Sequence, residues 1–371
     1  MMCTISWADL GPQRSAVRYT YHKSPEATMD WSSPQLRLTS QKTKVNISSS
    51  YFARGAMREA RCMYDKAMDL NGVAKVYFNM IPTRADLEKD MEAQAISKLL
   101  ALEFSALNGN GNDNNIDFIF TSFYELTDLP DGHAMKYFAY EPYMKGDYKK
   151  YSNNNGWVNP DFDPLTSPLG AAANSFSHFT WQHTLGNMVV VDLQGVSGIL
   201  TDPQIHCRDV NKYGKGNLGK EGLAAFFSTH VCSDSCARLG LIAPKGSGGD
   251  THTRTVGVPA VVKPTRSGPE SEKDLARKME LSCTLCGSFH SIQRREFLNA
   301  FEKGIEVMCP RCTEAMADKT SASCIVPSCR RKVMYSVFWY VMKGMEPPKT
   351  CRECKKKARA EAASTGSTPT K

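Results

Sequence analysis

The chain has 371 residues, and its 46 Lys and Arg residues outnumber its 38 Asp and Glu residues by eight. A hydrophobic fraction of 41% and a charged fraction of 23% exclude a wholly disordered or fibrous protein. No apolar run reaches the roughly 18 residues of a membrane-spanning helix. The N-terminus lacks the basic start and apolar stretch of a secretory signal, so the 13 cysteines are expected as thiols or metal ligands.

Charge and cysteine both concentrate near the C-terminus, which indicates two different folding units. Residues 268–371 hold 19 basic and 12 acidic residues, a net charge of 19 − 12 = +7, and eight of the 13 cysteines lie between Cys283 and Cys354. Composition predicts five segments: a disordered arm over residues 1–44, a large domain over 45–244, a flexible linker over 245–272, a cysteine-rich module over 273–360 and a disordered tail over 361–371.

The large domain shows both strand and helix patterns. Aromatic and β-branched runs predict strands over residues 72–79, 117–123, 136–140 and 187–192. Apolar residues at helical spacing predict helices over residues 84–103 and 219–227. Because the strands come mostly early and the helices mostly late, we expect an α+β fold.

One lysine stands in an apolar strand, where its charge needs an explanation. Lys75 lies within the sequence VAKVY. It is either an edge-strand lysine that faces water or a lysine held over a nucleotide phosphate. Glu92, on the following helix, is a candidate ion-pair partner for it, and the alternative for Glu92 is a solvated helix face.

A second group of polar residues follows the apolar strand that ends at Val191. Asp192, Gln194 and Asp202 offer the hard oxygen ligands that Mg²⁺ prefers, although such a strand end is as often a simple turn. The sequence GKGNLG at residues 214–219 permits a tight turn before a helix, where backbone amides can face an anion. This glycine motif lacks the βαβ context of a dinucleotide-binding fold, so we exclude that class.

A cluster of soft ligands follows the second predicted helix. His230, Cys232 and Cys236 have the spacing H-x-C-x₃-C, and residues four apart on a helix share one face. Tetrahedral zinc needs a fourth ligand. The candidates are His178, His183 and His206. The alternative is a buried histidine packed against two cysteines.

Several stretches of this chain together resemble the alpha-kinase domain, the catalytic domain of a group of atypical protein kinases. The similarity spans residues 51–241 and is greatest to the elongation-factor-2 kinase and myosin heavy chain kinase group. The stretches are FARGAMREA (residues 52–60), VAKVY, EPYMKGDYKKYSNNNGWV (141–158), SFSHFTWQHT (175–184), VDLQGVSGILTDPQIH (191–206), GKGNLG and GLAAFFSTHVCSDSC (222–236). The H-R-D and D-F-G motifs of ordinary protein kinases are absent, as this family implies.

The resemblance implies an ATP- and Mg²⁺-dependent serine/threonine protein kinase with a two-lobed fold, the strand-rich first lobe running to about Ala139. It assigns a role to each matching position. Lys75 would contact the nucleotide phosphates with Glu92 as its partner, Glu141 would lie at the adenine hinge, and Asp192 would be the catalytic aspartate. Gln194 and Asp202 would hold Mg²⁺, and the glycine-rich loop would consist of Gly214, Gly216, Asn217 and Gly219. A structural zinc would be held by His178, His230, Cys232 and Cys236.

The C-terminal cysteines form two similar sets of paired thiols. Cys283/Cys286 and Cys309/Cys312 are separated by 22 residues, and Cys324/Cys329 and Cys351/Cys354 by 21. The repeat indicates an internal duplication with four thiolates for each of two zinc ions, although ligation crossed between the sets stays open. The second set resembles treble-clef or ribbon-type zinc modules.

Basic clusters at residues 330–332 and 355–357 leave three interpretations of this module open. They are nucleic-acid binding, protein docking and a merely solvated surface. A catalytically weak pseudokinase scaffold, whose zinc module binds RNA or a protein, is therefore the alternative to an active kinase. We expect ATP and a protein substrate as partners, no membrane contact, and a cytoplasmic location with the nucleus left open.

Overall fold

The computed structural model describes residues 7, 9–24, 30–31, 33–55, 57–108, 116–242, 270–343 and 345–365. The chain forms two compact units, residues 1–309 and residues 310–371. The expected linker over residues 245–272 lies outside the described residues up to position 269. The unit boundary falls at residue 309 rather than in that linker, because residues 270–309 pack with the first unit.

Six antiparallel strands of the first unit close into a barrel, in the order β1-β2-β3-β4-β7-β6. They are β1 (Arg14–Lys23), β2 (Leu36–Arg54), β3 (Arg58–Asp65), β4 (Leu70–Tyr77), β6 (Ser122–Leu126) and β7 (Tyr137–Pro142); β5 (Asp117–Phe118) lies outside the barrel. Val45, Met63, Ala74, Tyr124 and Phe138 are among the residues that fill its core. The strands predicted around Lys75 and over residues 136–140 are thus barrel strands.

The prediction of a disordered arm over residues 1–44 is wrong, since β1 and much of β2 lie there. The face of β1 that points into the protein is largely polar. Arg18 donates to Gln41 at 2.5 Å, and Thr20 bonds Ser122 at 2.9 Å. The other, half-buried face carries Val17, Tyr19 and Tyr21 at alternate positions, a strand pattern that the polar composition of residues 1–44 outweighed in the prediction.

The long helix α1 (Arg84–Leu107) crosses from the barrel to the second half of the unit. The Thr83 side chain accepts a hydrogen bond from the Asp86 amide, and the Asp86 side chain accepts one from the Thr83 amide. These two hydrogen bonds form a capping box. The predicted helix over residues 84–103 is confirmed and continues for one more turn. Its inner face, with Ile96, Leu100 and Phe104, packs into the main core.

The remainder of the domain packs around α2 (Pro168–His183), whose buried side chains include Phe176 and Phe179. Short strands carry the candidate polar residues at their ends. They are β8 (Lys149–Lys150), β9 (Met188–Val191), β10 (Gln194–Val196), β11 (Ile199–Leu200) and β12 (Gln204–Cys207), followed by α3 (Gly219–Thr229) and α4 (Asp234–Arg238). β5 pairs with β11, β11 with β10 and β10 with β8, while β9 pairs with β12.

Residues 270–309, called here the first cysteine segment, complete the first unit. The segment contains α5 (Glu272–Ala276), β13 (Lys278–Ser282), β14 (Phe289–Gln293) and α6 (Arg294–Glu302). Met279, Leu281 and Phe297 form a buried cluster with Ala106 of α1. The segment is therefore packed onto the domain before it.

The second unit contains α7 (Pro310–Ala317), β15 (Thr320–Ser323), β16 (Lys332–Tyr335), α8 (Val337–Met342) and α9 (Arg352–Thr365). The order β13, β14, α6 and α7, which carries the first cysteine set, recurs as β15, β16, α8 and α9, which carries the second. In each copy a hairpin turn carries the first cysteine pair and the start of a helix carries the second. Equivalent bonds recur, since the amide of Cys309 donates to Cys283 Sγ and that of Cys351 to Cys324 Sγ, both at 3.3 Å. The repeat supports the predicted duplication.

The expected disordered tail over residues 361–371 is helical as far as Thr365, and residues 366–371 lie outside the described part. Among the described helices, none is long and apolar enough to cross a membrane.

The polar inner face of β1 gives a test of its place in the barrel. Ala16 is 3% exposed, whereas its neighbour Ser15 points outward. We expect Ala16→Asp to lower the free energy of unfolding by about 3 kcal/mol or more, because it buries an unpaired carboxylate. Ser15→Asp is the matched control and should change it by less than about 0.5 kcal/mol. Denaturant titration measures both, and equal small effects would contradict a folded β1.

Candidate functional site

A partly buried group of opposite charges lies where the barrel meets the second half of the domain. Lys75 Nζ on β4 is 2.8 Å from Glu141 Oε1 on β7 and 2.7 Å from Asp202 Oδ2. Arg58 on β3 donates to the other oxygen of Asp202 at 2.7 Å. The Thr201 hydroxyl donates a hydrogen bond to Glu141 at 2.6 Å. Two cations and two carboxylates are thus fixed from four different chain segments.

The pKa values in this group follow from burial and from the neighbouring charges. Burial alone would raise the pKa of Asp202, but Arg58 and Lys75 outweigh it and hold that pKa well below its ordinary value. Burial would lower the pKa of Lys75, but Asp202 and Glu141 outweigh it and raise that pKa. Lys75 is therefore a permanent cation and Asp202 a permanent anion at neutral pH.

The structure contradicts the predicted partner of Lys75. Among the described residues, Glu141 and Asp202 form the ion pairs of Lys75 in place of Glu92. Burial raises the pKa of Glu92, and Lys212 is the cation that opposes this rise. On α1, position 92 is turned by about 200° from position 90, which faces the cleft. The carboxylate of Glu141 points to Lys75, and the place of Glu141 at an adenine hinge stays a prediction.

Two residues of this charge group were missed by the sequence reasoning. Asp90 on α1 lies 3.7 Å from Arg58 and accepts from the Tyr77 hydroxyl at 2.8 Å. Asp90 lies three residues after Leu87 and four before Gln94, both buried, so the helical phase of the apolar stripe could have identified it. Arg58 stood in a quoted motif without an assigned role. Its place on β3, which pairs with β4, could have indicated it.

Asp192 follows β9 directly and forms a second polar centre. Its Oδ1 atom is 2.7 Å from Lys150 Nζ, and Gln194 donates to its other oxygen at 3.4 Å. Burial raises the pKa of Asp192, which Lys150 partly opposes. Asp192 and Asp202 both adopt left-handed backbone conformations, with φ of 59° and 52°. Such strain in non-glycine residues is concentrated at functional sites.

The glycine-rich turn borders this site on one side. A Cβ at Gly214 would lie 2.8 Å from Asp90 Oδ1, so the turn approaches the charge group closely. Asn217 is buried and braces the turn from inside. It accepts from the amides of Cys207 and Gly219 and donates to the carbonyls of Asp209 and Lys212. Gly216 lies beside Gln204, and Gly219 begins α3. The predicted ligand-binding role of these four residues stays a prediction.

The predicted histidine and cysteine group is brought together in the structure. The ligand atoms of His178, His230, Cys232 and Cys236 all lie within 4.8 Å of one another. Cys232 Sγ is 3.4 Å from His230 Nε2 and 3.8 Å from His178 Nδ1. Contacts with Cys236, His178 and His230 lower the pKa of the Cys232 thiol, which favours the thiolate. These separations match the edges of a zinc tetrahedron, roughly 3.3–3.8 Å for bonds of 2.0–2.3 Å.

The two rival histidines are engaged elsewhere. His183 contacts Glu103. His206 accepts the Leu218 amide on Nδ1 at 3.0 Å, so Nε2 carries its proton and donates to Asn154 O at 2.7 Å. The structure thereby selects His178 as the fourth member of the group.

The eight C-terminal cysteines group as the spacing predicted. Each set of four places its sulfur atoms within 4.8 Å of one another: Cys283, Cys286, Cys309 and Cys312 in one, and Cys324, Cys329, Cys351 and Cys354 in the other. Sulfur separations of 3.7 Å occur in both sets. The described cysteines form no disulfides. Four thiols at these distances are a donor set suited to zinc.

Taken together, the site can bind an anion and a hard cation side by side. Lys75 and Arg58 supply positive charge inside a cleft, which suits phosphate oxygens. Asp192, Asp202 and Gln194 supply the oxygen ligands that Mg²⁺ prefers. Burial raises the pKa of Asp192, which makes this carboxylate the stronger base of the two aspartates.

Comparison with known proteins gives similarities over the same region. Residues 53–236 match the family model described as the alpha-kinase family. Alpha-protein kinase 1 of Dictyostelium discoideum is 37% identical over 216 residues, covering 57% of this chain and 15% of that protein. Human eukaryotic elongation factor 2 kinase is 32% identical, covering 63% and 31% of the two chains. Myosin heavy chain kinase B of Dictyostelium discoideum is 31% identical, covering 68% and 32%.

Solved structures show the same likeness. The alpha-kinase domain of myosin heavy chain kinase A in complex with ADP is 26% identical, with a TM-score of 0.52. The match covers 62% of this chain and 98% of that domain. The complex of that domain with AMP-PNP gives 25% identity and a TM-score of 0.53. The present chain spans less than a third of the length of the three curated relatives named above.

Proposed function

Because residues 53–236 form an alpha-kinase domain, we propose that this chain is an ATP- and Mg²⁺-dependent serine/threonine protein kinase. It would transfer the γ-phosphate of ATP to Ser and Thr hydroxyls of proteins. The observation that carries the proposal is the partly buried group of Lys75, Arg58, Glu141 and Asp202 beside Asp192. Phosphoryl transfer depends on positioning and charge neutralisation, and this group offers both.

Each side chain then has a task in that reaction. Lys75, fixed by Glu141, and Arg58 would hold phosphate oxygens of ATP. Asp202 and Gln194 would hold Mg²⁺, which neutralises charge on the transferred group. Asp192 would orient the acceptor hydroxyl and take its proton, and its raised pKa makes it a stronger base. Lys150, 2.7 Å from Asp192, would keep this carboxylate in place.

The three groups of four soft ligands support three zinc ions per chain as part of the same proposal. Four protein ligands leave no open coordination position, so each ion would be structural. Reduced cysteines are typical of a reducing compartment, which supports a cytoplasmic location.

We also propose that the second unit binds nucleic acid. Residues 310–371 hold 13 basic and five acidic residues, a net charge of 13 − 5 = +8, so residues 1–309 balance at 33 of each. The excess lies on exposed side chains before β16 and at the start of α9. Phosphate contacts by such side chains release counterions and make binding depend steeply on salt. A surface that only keeps the protein in solution would not require the whole excess of basic residues to lie in one unit.

The kinase proposal predicts a large loss on removal of the candidate base. Full-length protein, checked for folding and zinc content, is assayed for transfer of labelled γ-phosphate to a general Ser/Thr substrate with Mg²⁺. We expect Asp192→Ala to reduce transfer by about 100-fold or more. Asp131→Ala, which removes a carboxylate that is 92% exposed, should leave the rate unchanged. No transfer by the unmodified protein would instead favour the pseudokinase scaffold.

The zinc proposal predicts a stoichiometry. Metal analysis of the purified chain should give about three zinc ions per chain, and Cys236→Ala should remove one of them because three ligands bind zinc less tightly than four. Cys62→Ala is the control, since Cys62 is buried in β3 outside the three groups. A zinc content that Cys236→Ala leaves unchanged would refute the site in the kinase domain.

The nucleic-acid proposal predicts a salt-dependent affinity for single-stranded RNA, measured by fluorescence anisotropy. Replacement of Lys355, Lys356 and Lys357 by Gln should weaken binding about tenfold and reduce the slope of log K against log salt by about two. A triple Gln replacement of the exposed lysines at positions 42, 44 and 66 is the control. Equal losses would mean that net charge alone acts, and no binding would favour protein docking or a solvated surface.

A further inference from the structure

We propose that the first cysteine segment is a positioning element of the nucleotide site, acting through Ser282 and Gly287. The inference rests on the proposed kinase function only for its kinetic readout. It concerns residues that lie outside the matched region 53–236. The argument follows two physical connections from the segment to Glu141 and Asp202.

The first connection is a buried polar network that both parts of the unit complete together. Lys98 on α1 forms an ion pair with Asp117 on β5, with oxygens at 2.9 and 3.0 Å, and both residues are buried. Lys98 also donates to the carbonyl of Ser282 at 3.0 Å, and the Ser282 amide donates to Asp117 at 2.8 Å. The Phe120 amide donates to Ser282 Oγ at 3.1 Å.

A buried ion pair is stable only when its remaining donors and acceptors are satisfied. Lys98 has three donors, and they meet Asp117, the Phe118 carbonyl and the Ser282 carbonyl. The backbone of Ser282 therefore supplies one of the partners that this ion pair of the kinase domain needs. Loss of that partner would disturb β5, the strand that carries Asp117.

β5 leads directly to the charge group. It runs parallel to β11, with Asp117 beside Ile199 and Phe118 beside Leu200, and the Ile119 amide donates to the Leu200 carbonyl at 2.9 Å. The next residue after β11 is Thr201, which holds Glu141, and the one after it is Asp202, which holds Lys75 and Arg58. A shift of β5 is thus transmitted over one or two residues to the carboxylates of the site.

The second connection is a close approach between the cysteine turn and β7. Gly287 follows Cys286 with φ of +82°, and a Cβ built on it would lie 2.8 Å from Pro142 Cγ and 3.3 Å from Phe120 Cβ. Pro142 is the neighbour of Glu141. A methyl group at position 287 must displace this proline ring, because its atoms are tied to the backbone.

A third contact anchors the segment without reaching the site. Arg294, which is fully buried, donates to the Ser105 carbonyl at 2.8 Å and pairs with Glu270 at 2.6 Å. It satisfies carbonyls in the last turn of α1, which a helix cannot satisfy itself. The segment is therefore held on α1 even when its contact with β7 is altered.

The test compares two glycines of the same segment in the full-length protein. Gly287→Ala and Gly304→Ala both place a methyl group at a positive φ, +82° and +63°, so both carry a similar backbone strain. Only the methyl at position 287 meets other atoms, since the space around a Cβ at position 304 is open. We expect Gly287→Ala to raise both the Kd for AMP-PNP and the KM for ATP about fivefold or more, with a smaller change in kcat. Gly304→Ala should leave all three unchanged.

A second substitution separates positioning from mere stability. Pro142→Ala removes the Cγ atom that the new methyl would meet, so the double variant Gly287→Ala/Pro142→Ala should recover most of the nucleotide affinity. Recovery of affinity between single and double variants that have equal Tm and zinc content supports positioning, and absence of rescue would overturn the second connection. Zinc content and Tm are measured on every variant.

Should Gly287→Ala fail to fold, Ser282→Ala gives the same information through the first connection. It removes the acceptor for the Phe120 amide and keeps the backbone bonds of the network, and exposed Ser291→Ala is its control. A raised Kd for AMP-PNP in Ser282→Ala alone supports the proposal. Unchanged Kd in every folded variant overturns it. Nucleotide binding without phosphate transfer by the unmodified chain would refute the kinase function while leaving this inference measurable.

Discussion

The ion group around Lys75 is the interaction on which the arrangement of this domain depends. It joins β3, β4 and β7 of the barrel to the turn that follows β11. Charges of opposite sign are placed in a partly buried cleft, where each is stable because the others are present. The same mutual dependence explains why a single carboxylate, Asp202, binds two cations at once. A site of this kind is set by the relative position of four segments and tolerates little displacement of any one.

The cysteine groups impose a different constraint, since they act over short stretches of chain. Each group needs only a hairpin turn, the start of a helix and two thiol pairs at suitable spacing. Few apolar residues surround the second set, whose buried cluster consists of Cys324, Val333 and Cys351 with a few partly buried neighbours. A metal would therefore supply much of the stability of this small unit.

Much of the site was predictable because its residues lie in short, distinctive motifs, but their pairing was not. Lys75 lies in β4, and Asp192 and Asp202 follow β9 and β11, close to where the motifs predicted them. Spacing predicted His230, Cys232 and Cys236 as a group but left three candidates for the fourth ligand, among which the family resemblance implied His178. The partner of Lys75 was misassigned because its two carboxylates, Glu141 and Asp202, come from segments that are distant in sequence. β1 was missed because the polar composition of residues 1–44 outweighed the alternation of Val17, Tyr19 and Tyr21. The docking of residues 270–309 depends on Lys98, Asp117 and Ser282, which are distant in sequence and carry no local pattern.

The duplication has a consequence for how the two cysteine copies can change. The first copy has Gly287 directly after its first cysteine pair, whereas the second has Arg330 at that place. The bulky, charged side chain could not occupy the close approach to Pro142 that the glycine permits. The second copy therefore could not replace the first in its contact with the kinase domain, and the two copies are not interchangeable. At this position the first copy is constrained by Pro142, and a residue the size of arginine would not meet that constraint.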